Sequence, residues 1–236
     1  MVSIIIPTLN EEIYLPRLLK SIKSQDFSDY EIIVSDGGSS DKTEQIANEF
    51  ACRFIIDKEH HHPSWQRNNG AVLAKGEIII FFDADTVLQE NFLSIVLKEF
   101  ADRNLGAASF YVHFNPNCFV YSIFSTTINF IAYVRQFISP IGVGAGIIVK
   151  KEINEKIKGF DTEIFIAEDY DYCARSAKVS KFRMIKSKKL LFSSRRLKSY
   201  GSFMTLLKWL RIGAFSMFNI KIKNKNIKYE FGNFKK

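Results

Sequence analysis

Two carboxylates one residue apart, Asp83 and Asp85, close the apolar run Ile78-Ile79-Ile80-Phe81-Phe82. They cannot both turn into a core, because burying unpaired charge is costly. At the mouth of a sheet such a pair suits a hard divalent ion, Mg2+ or Mn2+, that keeps positions open for phosphate oxygens, with a solvated turn as the other reading. A second acidic group, Glu168-Asp169, has the chemistry of a proton-accepting base, or else forms a helix start stabilised by the dipole. Asp171 is the poorer choice of base, since two residues along a helix turn it roughly 200° away. Asp36-Gly37 reads either as a ligand-facing loop or as an ordinary Asp-Gly turn. His60-His61-His62 does not read as a metal site, because consecutive imidazoles splay apart and no acid or cysteine stands at ligand spacing. It is expected as an exposed loop, placed so that it could fold over a ligand at the strand ends.

The elements that must position these groups alternate. Residues 2–6 and 31–35 are short apolar runs ending at Pro7-Thr8 and Asp36-Gly37, and both read as buried strands. Between them Leu15, Leu18, Leu19 and Ile22 recur at helical spacing, with Glu11 and Glu12 expected in the first turn. Ser39, Ser40 and Asp41 supply caps for a helix to about residue 51, residues 53–56 make a third strand, and a helix over 64–74 leads to a fourth strand over 77–82. This rhythm predicts an α/β fold with a mostly parallel sheet and helices on both faces. Ligands in such sheets lie outside the carboxyl ends of the strands, which brings together the loops 7–12, 36–41 and 83–86. Later, strands are expected over 107–114 and 145–150, and helices over 119–137 and 167–178. Ser122, Ser125, Thr126, Thr127 and Asn129 break the apolar run 119–133 too often for a bilayer crossing, so it is read as a buried helix or one beside the ligand site. The glycines at 142, 144 and 146 precede a strand, not a helix, and read as close backbone packing.

The chain has 236 residues, 47% of them hydrophobic, which suits one globular domain and leaves little room for a second. Cys52, Cys118 and Cys173 are odd in number and far apart, as free thiols in a reducing compartment would be. Met1-Val2-Ser3 lacks the basic leader of a signal sequence, so a cytoplasmic location is expected.

Four ordered segments carry a family resemblance. Residues 3–12 (SIIIPTLNEE), residues 31–43 (EIIVSDGGSSDKT), Arg67-Asn68-Asn69-Gly70 with Phe82-Asp83-Ala84-Asp85, and Gly159-Phe160-Asp161 with Glu168-Asp169 resemble glycosyltransferase family 2 over about residues 2–176. The resemblance implies a Rossmann-like GT-A fold, with a catalytic domain over 1–196 split into a nucleotide-binding half (1–100) and an acceptor half (101–196). It implies that Pro7, Thr8 and Glu11 line a nucleotide pocket, that Asp36 accepts a hydrogen bond from the base, and that Asp83 faces ribose or metal. Asp85 would hold the ion bridging the diphosphate, and Arg67 would lie near the nucleotide or its phosphates. Asp169 is the expected base and Glu168 its alternative, in an inverting transfer of one sugar from a nucleotide-diphospho-sugar, UDP-sugars favoured, to a glycan or lipid-linked acceptor. The Gln-x-x-Arg-Trp signature of processive members is absent.

The net charge of +8 is concentrated late. Arg195-Arg196 precede a basic amphipathic extension over 197–236, which reads either as a helix peripheral on the cytoplasmic face of an anionic membrane or as one packed on the domain, with Arg195 or Arg196 at the donor diphosphate. Nucleic acid is not an expected partner, since no recognition motif accompanies the charge. Two other functions stay open: a sugar nucleotidyltransferase, which should show a glycine-rich basic loop where residues 7–12 are acidic, and a non-enzymatic nucleotide-sugar or lipid-binding module, which would not need Asp169.

Overall fold

The computed structural model describes residues 1–115, 119–142 and 145–193. β1 (Val2–Thr8) is buried along its whole length, so both faces are covered and no polar alternation is needed. It pairs in parallel with β2 (Tyr30–Asp36) on one side and β4 (Ile78–Phe82) on the other, and β2 pairs in parallel with β3 (Arg53–Ile56). Ile4 and Ile6 join the core beneath α1 (Leu15–Lys23) and α2 (Thr43–Glu49), while Ile5 joins a second core beneath α3 (Pro63–Leu73). Leu15, Leu18, Leu19 and Ile22 form the inner stripe of α1, as their spacing requires. No acid stands in that helix's first turn, contrary to expectation: Pro16 fixes the start at Leu15, and Glu11 falls in the preceding turn, where its carbonyl accepts from the Tyr14 and Leu15 amides.

The second half adds β5 (Thr86–Val87), α4 (Phe92–Asp102), β6 (Ala107–Asn115), α5 (Phe119–Arg135), β7 (Gly146–Lys150), α6 (Lys151–Lys156), α7 (Glu168–Val179) and β8 (Phe182–Ser193). The eight strands run in the order β3-β2-β1-β4-β7-β6-β8-β5, and the sheet stays mostly parallel, with β7 and β5 the antiparallel members. The halves expected at 1–100 and 101–196 therefore share one sheet.

That order forces the sheet to curl. β4 and β5 stand four strand spacings apart in the ladder, about 19 Å if the sheet were flat. The chain from Phe82 to Thr86 spans at most about 14 Å. The sheet must therefore roll until its far edge approaches β4, and Asp83-Ala84-Asp85 bridges the seam.

Candidate active site

The loops after β1 and β2 are bound into one frame. Thr8 Oγ1 donates to Asp36 Oδ2 at 2.8 Å, Asn10 N to Ser39 Oγ at 2.7 Å, Glu11 N to Thr43 Oγ1 at 2.9 Å and Glu12 N to Asp41 Oδ2 at 3.0 Å. Pro7 is paired in register with Ser35. Asp36 is fully buried and takes four donors: the Gly38 and Ser39 amides on Oδ1, and Ser39 Oγ and Thr8 Oγ1 on Oδ2. These fill a carboxylate's acceptor positions, so its evident work is to hold the turn. A hydrogen bond to a nucleotide base would have to displace one of its own hydroxyl partners.

α3 carries the residue that joins the two halves. Gly70 lets this helix approach β1 closely, since a Cβ there would stand 2.5 Å from Ile5 Cγ2. Arg67, with a side chain 3% exposed, donates from Nη2 to Asp83 Oδ1 at 2.8 Å and from Nη1 to Glu168 Oε1 at 2.9 Å. Its Cζ lies 5.1 Å from the centroid of Phe160, which stacks on Tyr172. Burial opposes the guanidinium charge, but the two carboxylates outweigh it and push the pKa up. Arg67, expected near the nucleotide or its phosphates, ties the end of β4 to the start of α7 through both of its Nη groups.

Asp83 and Asp85 sit at the seam, Asp85 only 6% exposed and the Asp83 side chain 21%. Their hard carboxylate oxygens fit Mg2+ or Mn2+. Among the described residues no group of three or more His, Cys, Asp or Glu is gathered for a metal, so an ion held here would need water or ligand oxygens besides these two carboxylates.

At the start of α7, Ala167 has φ +65°, a left-handed conformation that strains a residue with a Cβ, directly before the acidic pair. Burial and the neighbouring Glu168 push the Asp169 carboxyl up to about 8. Burial also works against Glu168, but Arg67 and His62 overcome it and hold that carboxyl below its ordinary value. Two adjacent acids are thus driven apart, one kept as an anion in an ion pair and the other poised near neutral pH. Asp171 turns away and accepts from Arg175 Nε at 2.6 Å.

The histidine segment is more firmly held than an exposed loop would be. His60 stacks on Trp65 at 3.8 Å and donates to Asp57, and the exposed His61 donates to the Gly37 carbonyl. His62 caps α3, its Nδ1 accepting from Ser64 N at 3.2 Å while Nε2 donates to the Phe165 carbonyl at 3.0 Å. That pair of bonds fixes the neutral Nε2–H tautomer, and burial lowers its pKa. Sequence reasoning missed His62 in this role, and also Asn68, whose amide pairs reciprocally with the Phe160 backbone at 2.8 and 2.9 Å. The Arg67-Asn68-Asn69-Gly70 and Gly159-Phe160 segments carried the signal for Asn68, but nothing local marked their partnership. Gly142 packs against α7, where a Cβ would stand 2.5 Å from Cys173 Sγ and 3.5 Å from the Asp169 carbonyl. Arg195, Arg196 and the extension 197–236 lie outside the described residues, as do Cys118 and Gly144.

The family model described as glycosyl transferase family 2 matches residues 3–158. A GalNAc(5)-diNAcBac-PP-undecaprenol beta-1,3-glucosyltransferase of Campylobacter jejuni is 34% identical over 124 residues, 50% of this chain and 38% of that protein. A PGL/p-HBAD biosynthesis glycosyltransferase of Mycobacterium bovis is 38% identical over 126 residues, 51% of this chain and 45% of that protein. The chain thus spans less than half the length of these relatives. Among solved structures, S. aureus TarS residues 1–349, also crystallised with UDP-GlcNAc, superimposes with a TM-score of 0.67 at 19% identity over 82% of this chain and 60% of that one. The mannosyltransferase PcManGT of Pyrobaculum calidifontis, in complex with GDP-Man and Mn2+, does so with a TM-score of 0.67 at 24% identity over 81% and 56%. These likenesses establish the fold as GT-A.

Proposed function

The chain belongs to glycosyl transferase family 2, and we propose that it moves a single sugar from a nucleotide-diphospho-sugar, UDP-sugars favoured, to an acceptor hydroxyl or phosphate with inversion at the anomeric carbon. The setting is cell-surface glycan or lipid-linked saccharide synthesis, which agrees with the undecaprenol-linked substrate in the name of the Campylobacter relative. The observation that carries this reading is the double ion pair of Arg67, which joins Asp83 at the end of β4 to Glu168 at the start of α7.

Pro7, Thr8, Glu11 and Asp36 frame the nucleotide side, Asp83 lies between that side and α7, and Asp83 and Asp85 hold Mg2+ or Mn2+. The bound ion supplies charge neutralisation for the departing nucleoside diphosphate. Asp169 takes the proton from the attacking acceptor, its carboxyl near 8 being matched to that task. Glu168, held as an anion by Arg67, raises the basicity of Asp169.

The test is thermal shift of metal-depleted protein against UDP-, GDP- and dTDP-sugars with and without Mg2+ or Mn2+, followed by mass analysis of the transferred product. One donor should stabilise the protein only when the ion is present, and Asp85→Asn should remove that shift. Donor binding undiminished by chelator and by Asp85→Asn would overturn the metal assignment.

A further inference from the structure

Helix α5 presents an outer face unlike that of a water-exposed helix. Ile123, Phe130, Tyr133 and Val134, with Phe137 and Ile138 just beyond its end, are exposed, Phe130 by 66% and Ile138 by 79%. They are six of the eleven large apolar side chains exposed among the described residues, gathered on one face. The face is not open through loose docking. Asn129 exchanges two hydrogen bonds of 2.9 Å with the Val112 backbone, and Phe124 and Ala132 are buried beneath. The single charged residue of α5, Arg135, is buried and donates from Nε to the Ser139 carbonyl.

Three of its hydroxyl groups are satisfied within the helix itself. Ser125, Thr126 and Thr127 each donate to the carbonyl four residues back, at 2.8 to 2.9 Å. Side chains satisfied in this way tolerate a medium that cannot hydrogen-bond. Beside the apolar face stands a basic rim from β8, with Arg183 4.9 Å from the Phe137 ring and Lys186 6.0 Å from the Tyr133 ring. No acid occurs in the sequence between Asp102 and Glu152, nor between Asp171 and Glu230. The acid packed against this rim, Glu99, is taken up by Arg103 and by the Lys186 and Ser187 amides.

We propose that this face of α5 seats in the headgroup–acyl boundary of an anionic bilayer, with Arg183 and Lys186 at lipid phosphates. No described helix is long and apolar enough to cross a membrane, so the seat is interfacial. An apolar surface of Phe, Tyr and Ile beside Arg183 and Lys186, with the neighbouring acid Glu99 already paired, matches that boundary in both polarity and charge sign. The same face runs through Phe137 and Ile138 toward Gly142, which abuts the Asp169 backbone. On the transferase reading proposed above, the seat brings Asp169 to an acceptor carried in the lipid surface; the seat itself does not depend on that reading.

Flotation of the full chain with phosphatidylcholine vesicles, and with the same vesicles containing phosphatidylglycerol, tests this. The wild type should float with the anionic vesicles. Phe130→Gln/Phe137→Gln/Ile138→Gln should float at least about tenfold less, given the apolar area withdrawn, while its melting temperature and donor-induced thermal shift stay unchanged. Emission from a Phe130→Trp variant should be quenched by lipids brominated in the acyl chain, beyond any quenching of the wild type. Equal flotation of the triple variant would assign the binding to residues 194–236 and overturn the proposal, as would absent flotation or an unquenched emission. A wild-type dimer that the triple substitution converts to monomer would assign the face to a second copy instead. Because donor-induced stabilisation is read separately, its loss would count against the transferase reading and not against the membrane seat.

Discussion

Asp169→Asn separates the chemistry of the acid pair from its architecture. Asparagine keeps the side-chain oxygen that accepts from Tyr170 N at 3.0 Å, so the start of α7 should persist. General-base catalysis contributes about 100- to 10,000-fold, and kcat should fall by that factor with donor KM unchanged. The wild-type kcat/KM should rise with pH through about 8, where burial and Glu168 place this carboxyl. Stability carries an independent signature. Against an ordinary carboxyl at 3.8, the native protein holds the proton up to about 8, so the stability this group confers is complete below 3.8 and is lost as pH rises through 8. Between pH 5.5 and 8 the loss is at most roughly 3 kcal/mol, and partial solvent contact brings it to the order of 1 to 2. Asparagine has no proton to lose, so its stability relative to wild type should improve by that amount across the interval. Urea denaturation at pH 5.5 and 8.5, read as a difference between the two proteins, cancels the other titrating groups. A variant retaining more than about a tenth of kcat, or a stability difference indifferent to pH, would refute the assignment.

Two further outcomes follow from the bonds around Arg67 and His62. Arg67→Ala leaves Asp83 and Glu168 as partly buried carboxylates without their cation, and should cost about 3 to 5 kcal/mol in urea denaturation, part of it recovered by adding Glu168→Gln. His62→Asn keeps an acceptor for Ser64 N but is too short for the Phe165 carbonyl, and should cost about 1 kcal/mol, with His62→Ala costing about 1 more through the lost cap. Because its folded pKa is depressed, the contribution of His62 should be present above about 6.5 and be lost as pH falls, a slope that both variants remove.

β1 to β4 lie where their apolar runs place them, since strands covered on both faces need only continuous hydrophobic sequence. β6 and β7 also fall where expected, within a residue at each end, but β8 and β5 were harder to read. β8 is dense in lysine, and its register against β6 jumps from Ile185 to Lys189 across one step of Phe110 to Tyr111, which breaks the alternation that marks a strand. β5 is two residues long and has no pattern of its own. At the site, the residue types were legible but not their partners. Asp83 and Asp85 announce themselves by ending an apolar strand, whereas the pairing of Arg67 with Glu168 joins residues 101 apart and exists only after the sheet has curled. His62 looked like one of three interchangeable histidines, and the Phe165 carbonyl and the Ser64 amide set it apart.

The three-residue seam between β4 and β5 imposes a length rule on this stretch of chain. An insertion of even one residue there would slacken the clasp that keeps the rolled sheet shut, and would rotate one carboxylate out of line with the other. Loops elsewhere on the surface can grow without such penalty. For the same reason the back half of the molecule cannot be exchanged as a cassette at residue 100: a graft would have to bring a β8 cut to receive Val87 and an acid placed to meet Arg67, so the two ends of the chain are obliged to change together.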